Sequence, residues 1–258
     1  MPSPSLTRTY FTTEDGTPVP AVTADEMREI DRIAVEQTGP TLLQMMEHAG
    51  MNLALSAIEM LGAGWQRSHV IVLAGPGGNG GGGVCAARHL ANRGVEVLVV
   101  TSRRPAEADG ALAQQLMALG EDPARMISFA EAFDVADADL VIDAVLGYGV
   151  EGAPRGPVMG LTRAASAAAR VLSLDVPSGI DADTGEAEGF SVSPERTLTL
   201  ALPKPGLRAD NAGELWLADL GIPPGVYARA GIVPQPVFGD ATRIPLRYPE
   251  ATTEDASS

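Results

Sequence analysis

Cysteine occurs once in the chain, at Cys85, so no internal disulfide and no cysteine-rich metal site can form, and a reducing, cytoplasmic setting is expected. Aromatic residues supply only 4% of the 258 positions, which argues against base stacking and leaves Ala, Val, Leu and Ile to fill the core. Basic residues are also scarce: 18 Lys and Arg stand against 33 Asp and Glu, a formal net charge of -15. A chain so acidic is repelled by phosphate backbones and anionic lipid, so neither nucleic acid nor a membrane is expected as a partner. No apolar run approaches the roughly 20 residues needed to cross a bilayer, and the polar, proline-bearing start lacks the apolar segment of a signal peptide.

What the chain does have is length for one substantial core and a regular alternation of short apolar runs with helical stretches. Residues 1–20 read as an N-terminal arm, 21–233 as one domain and 234–258 as a Pro-bearing, acidic tail. Thr23 with Glu26, and Thr41 with Gln44, have the spacing of capping boxes and predict two helix starts. Met27, Ile30 and Ala34 recur at helical spacing in the first helix. Leu42, Met46, Ala49, Leu53 and Ala57 form a stripe in the second that must cover a sheet or a partner subunit. Strands are expected from His69, Glu96, Leu140, Val171 and Thr197, with helices near 83–93, 108–119 and 157–169. Strands alternating with helices specify an α/β fold in which a mainly parallel sheet is covered on both faces.

Three strand ends carry residues that suggest a site. Between Ala74 and Val84 the chain is almost all glycine. Glycine there allows close backbone approach to a ligand, and a helix start beside it suits a phosphate group. No Lys-Ser or Lys-Thr follows, so this is not a Walker A loop. Gly75, Gly77 and Gly80 do satisfy GxGxxG, but the next strand ends in Thr101–Arg104 rather than in the acidic residue that a dinucleotide fold uses to hold ribose. Arg103 and Arg104 read as solvated surface. Asp143, inside an apolar strand, needs a partner or a cation. Asp175 ends a later strand and suits proton transfer or a substrate hydroxyl, with the Ser178 hydroxyl nearby as a hard-cation ligand. Lys204 is either an anion ligand or a surface lysine. His48, His69 and His89 lack zinc spacing, His89 being expected in solvent and Cys85 in the core.

Several segments taken together resemble the NAD(P)H-hydrate epimerase family, also called the YjeF N-terminal domain. They are Thr23–Asp31, Met46–Gly50, the glycine stretch and the residues after it, Asp143–Gly149, Asp175–Gly185, Leu202–Leu207 and Ala218–Pro223. The resemblance implies a Rossmann-like, three-layer αβα sandwich, usually a homodimer, that interconverts the R and S epimers of NADHX and NADPHX. These are hydrated nicotinamide cofactors with a hydroxyl at C6 of the ring, and a partner dehydratase consumes one epimer. It also implies a potassium ion held by Asn79, Asp143 and Ser178. Substrate contacts would fall on Gly78, Asn79, Gly80, Gly81 and Gly82, on Gly147, Tyr148, Gly149, Val150, Glu151, Gly152 and Ala153, and on Asp175, which would also move the proton. The sequence departs from the family pattern at Gly78 and Gly82, where Asn and Asp are usual, and at His48, where Asn is usual. The alternative reading is a catalytically silent nucleotide-binding or protein-interaction module of the same fold.

Overall fold

The computed structural model describes residues 8–120, 125–149, 152–187 and 189–250. It opens with a hairpin of β1 (Tyr10–Thr12) and β2 (Pro18–Pro20). Helix α1 (Ala24–Ile33) and helix α2 (Leu42–Leu61) follow, separated by a π-helical turn at Ala34–Thr38. Both capping boxes form: Thr23 and Glu26 satisfy each other's free amides at the start of α1, as Thr41 and Gln44 do at α2. The alternating part then runs β3 (His69–Ala74), α3 (Gly78–Ala91), β4 (Glu96–Thr101), α4 (Gly110–Leu119), β5 (Arg125–Ser128), β6 (Leu140–Ala144), α5 (Gly156–Ala167), β7 (Val171–Leu174) and β8 (Arg196–Leu200). The chain closes with α6 (Ala209–Ala212), β9 (Glu214–Ala218), α7 (Pro224–Arg229) and β10 (Arg243–Leu246).

The sheet has eight strands in the order β10-β9-β8-β7-β6-β3-β4-β5, parallel except for β10. Successive residues of a strand point to opposite faces, and β3 shows the result. Val70, Val72 and Ala74 pack with Leu53, Ala57, Val84 and Leu116 on the face covered by α2, α3 and α4. Ile71 and Leu73 pack with Leu161 and Ala165 of α5 on the other. This is the expected Rossmann-like, three-layer α/β sandwich. No helix among the described residues is long and apolar enough to cross a membrane.

The glycines settle where α3 begins. The helix starts at Gly78, not near 83, so most of the glycine stretch is helical and lies against its neighbours. A Cβ on Gly80 would stand 2.0 Å from the Gly75 carbonyl oxygen, and one on Gly83 would stand 2.4 Å from the Ala144 Cβ. On the opposite side of α3, a Cβ on Gly50 would meet the Cys85 Cβ at 2.5 Å. The glycines bring α3 close to both the sheet and α2, which suits a core poor in aromatics.

The two ends are more structured than their composition suggests. Phe11 and Val19 are buried with Leu246 in one cluster, and Thr12 bridges to Arg247 through paired backbone hydrogen bonds of 3.1 and 2.7 Å. The described part of the expected tail thus supplies β10 and closes the sheet edge against β9. Neither segment has a local pattern that reveals this, because β10 pairs with β9 and the bridge between the two ends joins residues far apart in the chain.

Candidate active site

The strand order reverses at β3, which has β4 on one side and β6 on the other. In open parallel sheets the crevice at such a point, beyond the carboxyl ends of the strands, is where ligands bind. Here it forms a cavity of about 380 Å³. Gly78, Asn79 and Gly82 of α3, the loop Gly147–Gly149 after β6, Asp175 after β7 and Lys204 after β8 all line it. Met27 and Asp31 of α1 and Met46 and Ala49 of α2 form another part of its wall.

Asp175 is turned into this cavity by its own backbone. Its φ of 69° is left-handed, a conformation that costs a non-glycine residue about 1 kcal/mol or more and collects at functional sites. The Lys204 ammonium contacts its Oδ1, and the backbone N–H of Tyr148 donates to its Oδ2 at 2.9 Å. Lys204 is fully buried, so the surface reading of this lysine is wrong. Its Nζ also donates to the Leu200 carbonyl at 3.0 Å and lies 5.4 Å from the centroid of the Tyr148 ring. A buried lysine needs this carboxylate, and the carboxylate needs the lysine.

Asp143 is fully buried in β6 and meets only neutral donors. Its Oδ2 accepts from the Ser173 hydroxyl at 2.8 Å and the Ser178 N–H at 2.9 Å, while its Oδ1 accepts from the Ser178 hydroxyl at 2.5 Å. Burial pushes its pKa up, and the hydrogen bonds from Ser178 and Ser173 offset that only in part. Ser178 Oγ in turn accepts from the Leu146 N–H at 2.9 Å, and Asn79 donates to the Leu146 carbonyl at 2.7 Å. Asn79, Asp143 and Ser178 are therefore joined through Leu146. The set offers oxygen ligands and a buried carboxylate with no cationic partner among the described residues, a combination that fits a hard cation.

Not every residue expected at the site reaches it. Gly80 and Gly81 face the Gly75 backbone and Met46 rather than the cavity, because the helix starts earlier than the sequence suggests. Gly152 lines a small neighbouring recess with Gly147, Pro177 and Asp181. Ala153 is exposed, and Val150 and Glu151 lie outside the described residues. Arg103 and Arg104 are exposed, as expected.

His89 is buried, not solvated. Its Nε2 lies 2.8 Å from Glu47 of α2, and burial lowers its pKa despite that carboxylate. Cys85 is a core residue as expected, but its thiol also donates to Glu47 at 3.3 Å and is pushed up to about 12, mainly by burial. Arg88 completes the group at 2.6 Å from Glu47, so the group ties α2 to α3 as an internal ion pair.

Asp31 is the cavity residue that sequence reading passed over. It closes the Thr23–Asp31 segment and lies four residues after Met27, on the buried side of α1. An acidic residue on an apolar stripe, in the last turn of a helix where the dipole disfavours it, was the available signal. Its Oδ2 accepts a short hydrogen bond from the Tyr148 hydroxyl. Burial raises its pKa, with the neighbouring Asp175 adding to the rise, against the Tyr148 hydrogen bond and the charge of Lys204.

The chain is similar to several known proteins. Residues 42–206 match the family described as YjeF-related protein N-terminus. The chain is 49% identical over 223 residues to an NAD(P)H-hydrate epimerase of Dehalogenimonas lykanthroporepellens, covering 86% of this chain and 90% of that one. It is 42% identical over 220 residues to a bifunctional NAD(P)H-hydrate repair enzyme of Hyperthermus butylicus, covering 82% of this chain and 40% of that longer protein. The crystal structure of the yeast protein ynu0 superposes with a TM-score of 0.76 at 26% identity, over 87% of this chain and 99% of that one.

Proposed function

Since the chain belongs to the family of YjeF-related protein N-termini, we propose that it is an NAD(P)H-hydrate epimerase, an isomerase that interconverts the R and S forms of NADHX and NADPHX. The observation that carries this reading is Asp175, held in a left-handed conformation by Lys204 inside a cavity at the reversal point of the sheet. Inversion at the hydroxylated ring carbon requires a proton at the departing hydroxyl, an electron pair from the ring nitrogen, and water returning to the other face. A carboxylate in the cavity stabilises the cationic ring that forms between those events.

The chain's own groups divide this work. The Asp175–Lys204 pair fixes a negative oxygen beside the Tyr148 loop, and the apolar walls from Met27, Met46 and Leu174 limit access of bulk water to the ring. Gly78 and Asn79 open α3 toward the cavity, where the free amides of a helix start suit the cofactor's phosphates. Substrate contacts at Gly78, Asn79, Gly82, Gly147, Tyr148, Gly149 and Asp175 are supported by their place on the cavity wall. Asn79, Asp143 and Ser178 would hold a potassium ion, whose fixed positive charge would neutralise Asp143 and order the two strand-end loops.

A homodimer, a cytoplasmic location and pairing with a dehydratase belong to the same proposal. Val35, Leu42 and Leu43, at 45, 44 and 36% exposure around the start of α2, supply an apolar patch for a second subunit. The 40% coverage of a relative named as bifunctional supports a second activity alongside this one. The silent-module reading draws on Gly78 and Gly82, which line the cavity without a side chain to act.

Chromatography of the two epimers, starting from R-NADHX with potassium present, separates these readings. Turnover well above the spontaneous rate, falling by about 100-fold or more in Asp175→Asn, is expected of the epimerase. A wild-type rate equal to buffer would leave only the binding module.

A further inference from the structure

Among the described residues two carboxyl groups line the cavity, and their surroundings differ in a way that assigns them different tasks. Asp175 touches the Lys204 ammonium with one oxygen and the Tyr148 N–H with the other, so placing a proton on it would break a buried ion pair. Asp31 has no cation within hydrogen-bond or ion-pair distance among the described residues. One of its oxygens accepts from the Tyr148 hydroxyl, and the other has no protein hydrogen-bond partner among the described residues. Resting on the epimerase reading, we propose that Asp31 is the catalytic acid of this site and that the Tyr148 hydroxyl positions it.

On balance the groups facing Asp31 raise its pKa above the ordinary carboxyl value. Asp31 stands in the last turn of α1, beside the negative end of the helix dipole. Asp175 adds negative charge from the end of β7, and partial burial removes water from the charged form. Lys204, beyond β8, and the Tyr148 hydroxyl act in the opposite sense, and burial prevails. Tyr227 of α7 is also near enough for its own ionisation to be opposed by Asp31, and Arg28, one turn earlier on α1, acts on Tyr148. Two carboxyl groups in one pocket, one with a raised pKa and the other ion-paired, suit an acid beside an electrostatic stabiliser.

The step balances without an outside reagent. The proton on Asp31 passes to the hydroxyl oxygen at C6, and the C6–O bond breaks with its electron pair leaving on water. The ring nitrogen's lone pair forms the C6–N double bond, and the resulting cation faces the Asp175 carboxylate. Water then adds to the opposite face, the double-bond pair returns to nitrogen, and the surplus proton returns to Asp31 through the departed water.

The test is epimerisation of R-NADHX across a range of pH by wild type, Asp31→Asn, Asp31→Glu and Tyr148→Phe, with NADP binding measured by calorimetry on each. Asp31→Asn is expected to lose about 100-fold or more in kcat while NADP affinity stays within about threefold, and Asp31→Glu to recover part of the rate. The wild-type rate should fall as pH rises through the raised pKa of Asp31. That fall should be absent in Asp31→Asn and move to higher pH in Tyr148→Phe, where the carboxylate loses a hydrogen bond. An Asp31→Asn enzyme within about threefold of wild type and with the same pH profile overturns the assignment while leaving the epimerase reading intact. A wild type with no turnover overturns both.

Discussion

Asp143 and Asp175 stand at the ends of neighbouring parallel strands, and the protein manages their burial in opposite ways. Asp143 lies within β6, paired in register with Ser173 of β7, and is surrounded by hydroxyl and amide donors. Asp175 lies just past β7, turned out of the sheet by a positive φ, and is met by a full cation. The first is sealed in the sheet, and the second opens on the cavity. A carboxylate held only by neutral donors is costly to ionise, which makes Asp143 a place for a cation. One already paired with lysine can act on a ligand without recruiting anything else.

The sharpest way to break this contrast is to remove the cation from Asp175. Lys204→Met leaves a buried carboxylate unpaired and should cost about 3–5 kcal/mol in urea unfolding, whereas adding Asp175→Asn should restore part of the loss. A Lys204→Met protein as stable as wild type would show that the pair is not coupled.

A smaller effect is expected at Asp143. Asp143→Asn turns an amide NH₂ toward donors and should cost about 2 kcal/mol. The folded pKa of Asp143 is raised above its ordinary 3.8, so the folded state binds this proton more tightly than the unfolded chain does. In potassium-free buffer its contribution to stability is therefore greatest below that ordinary value and declines as pH rises toward the raised one. Potassium at constant ionic strength should oppose the decline. Thermal melts that show no such slope, or the same slope and potassium response in Asp143→Asn, would count against both the electrostatics and the ion.

The smallest difference isolates backbone strain at Asp175. Asp175→Ala and Asp175→Gly remove the same carboxylate, but only glycine adopts a φ of 69° without strain, so the Gly variant should be more stable by about 1 kcal/mol. Equal stabilities would mean that the loop relaxes once the ion pair is gone.

Much of this was legible in advance. The alternation of apolar runs and helical stretches specified the parallel sheet, and the capping boxes specified where α1 and α2 begin, because both signals are local. Asp143 and Asp175 stood out as polar residues at apolar strands and their ends, whereas Asn79 entered only through the family resemblance. The glycine stretch misled by a full helical turn at the start of α3. Glycine is a poor helix former, and what stabilises these in a helix is the closeness of β3, β6 and α2, which no local pattern reports. Lys204 looked as much like surface as like site for the same reason. Asp31 was overlooked because its segment was read for helix spacing and not for the one acidic residue on the buried side.

The sequence by itself determined the fold class, the order of the central strands and helices, the exclusion of disulfides and the strand ends at which chemistry would sit. Periodicity, capping and charge are properties of short stretches of chain. Only the tertiary structure decided which carboxylate meets Lys204, which glycines face the cavity, that β10 completes the sheet against β9, and that the two ends bridge to each other. Those outcomes depend on contacts between residues far apart in the chain, such as Asp31 with Tyr148 and Thr12 with Arg247, and distance along the sequence carries no record of them.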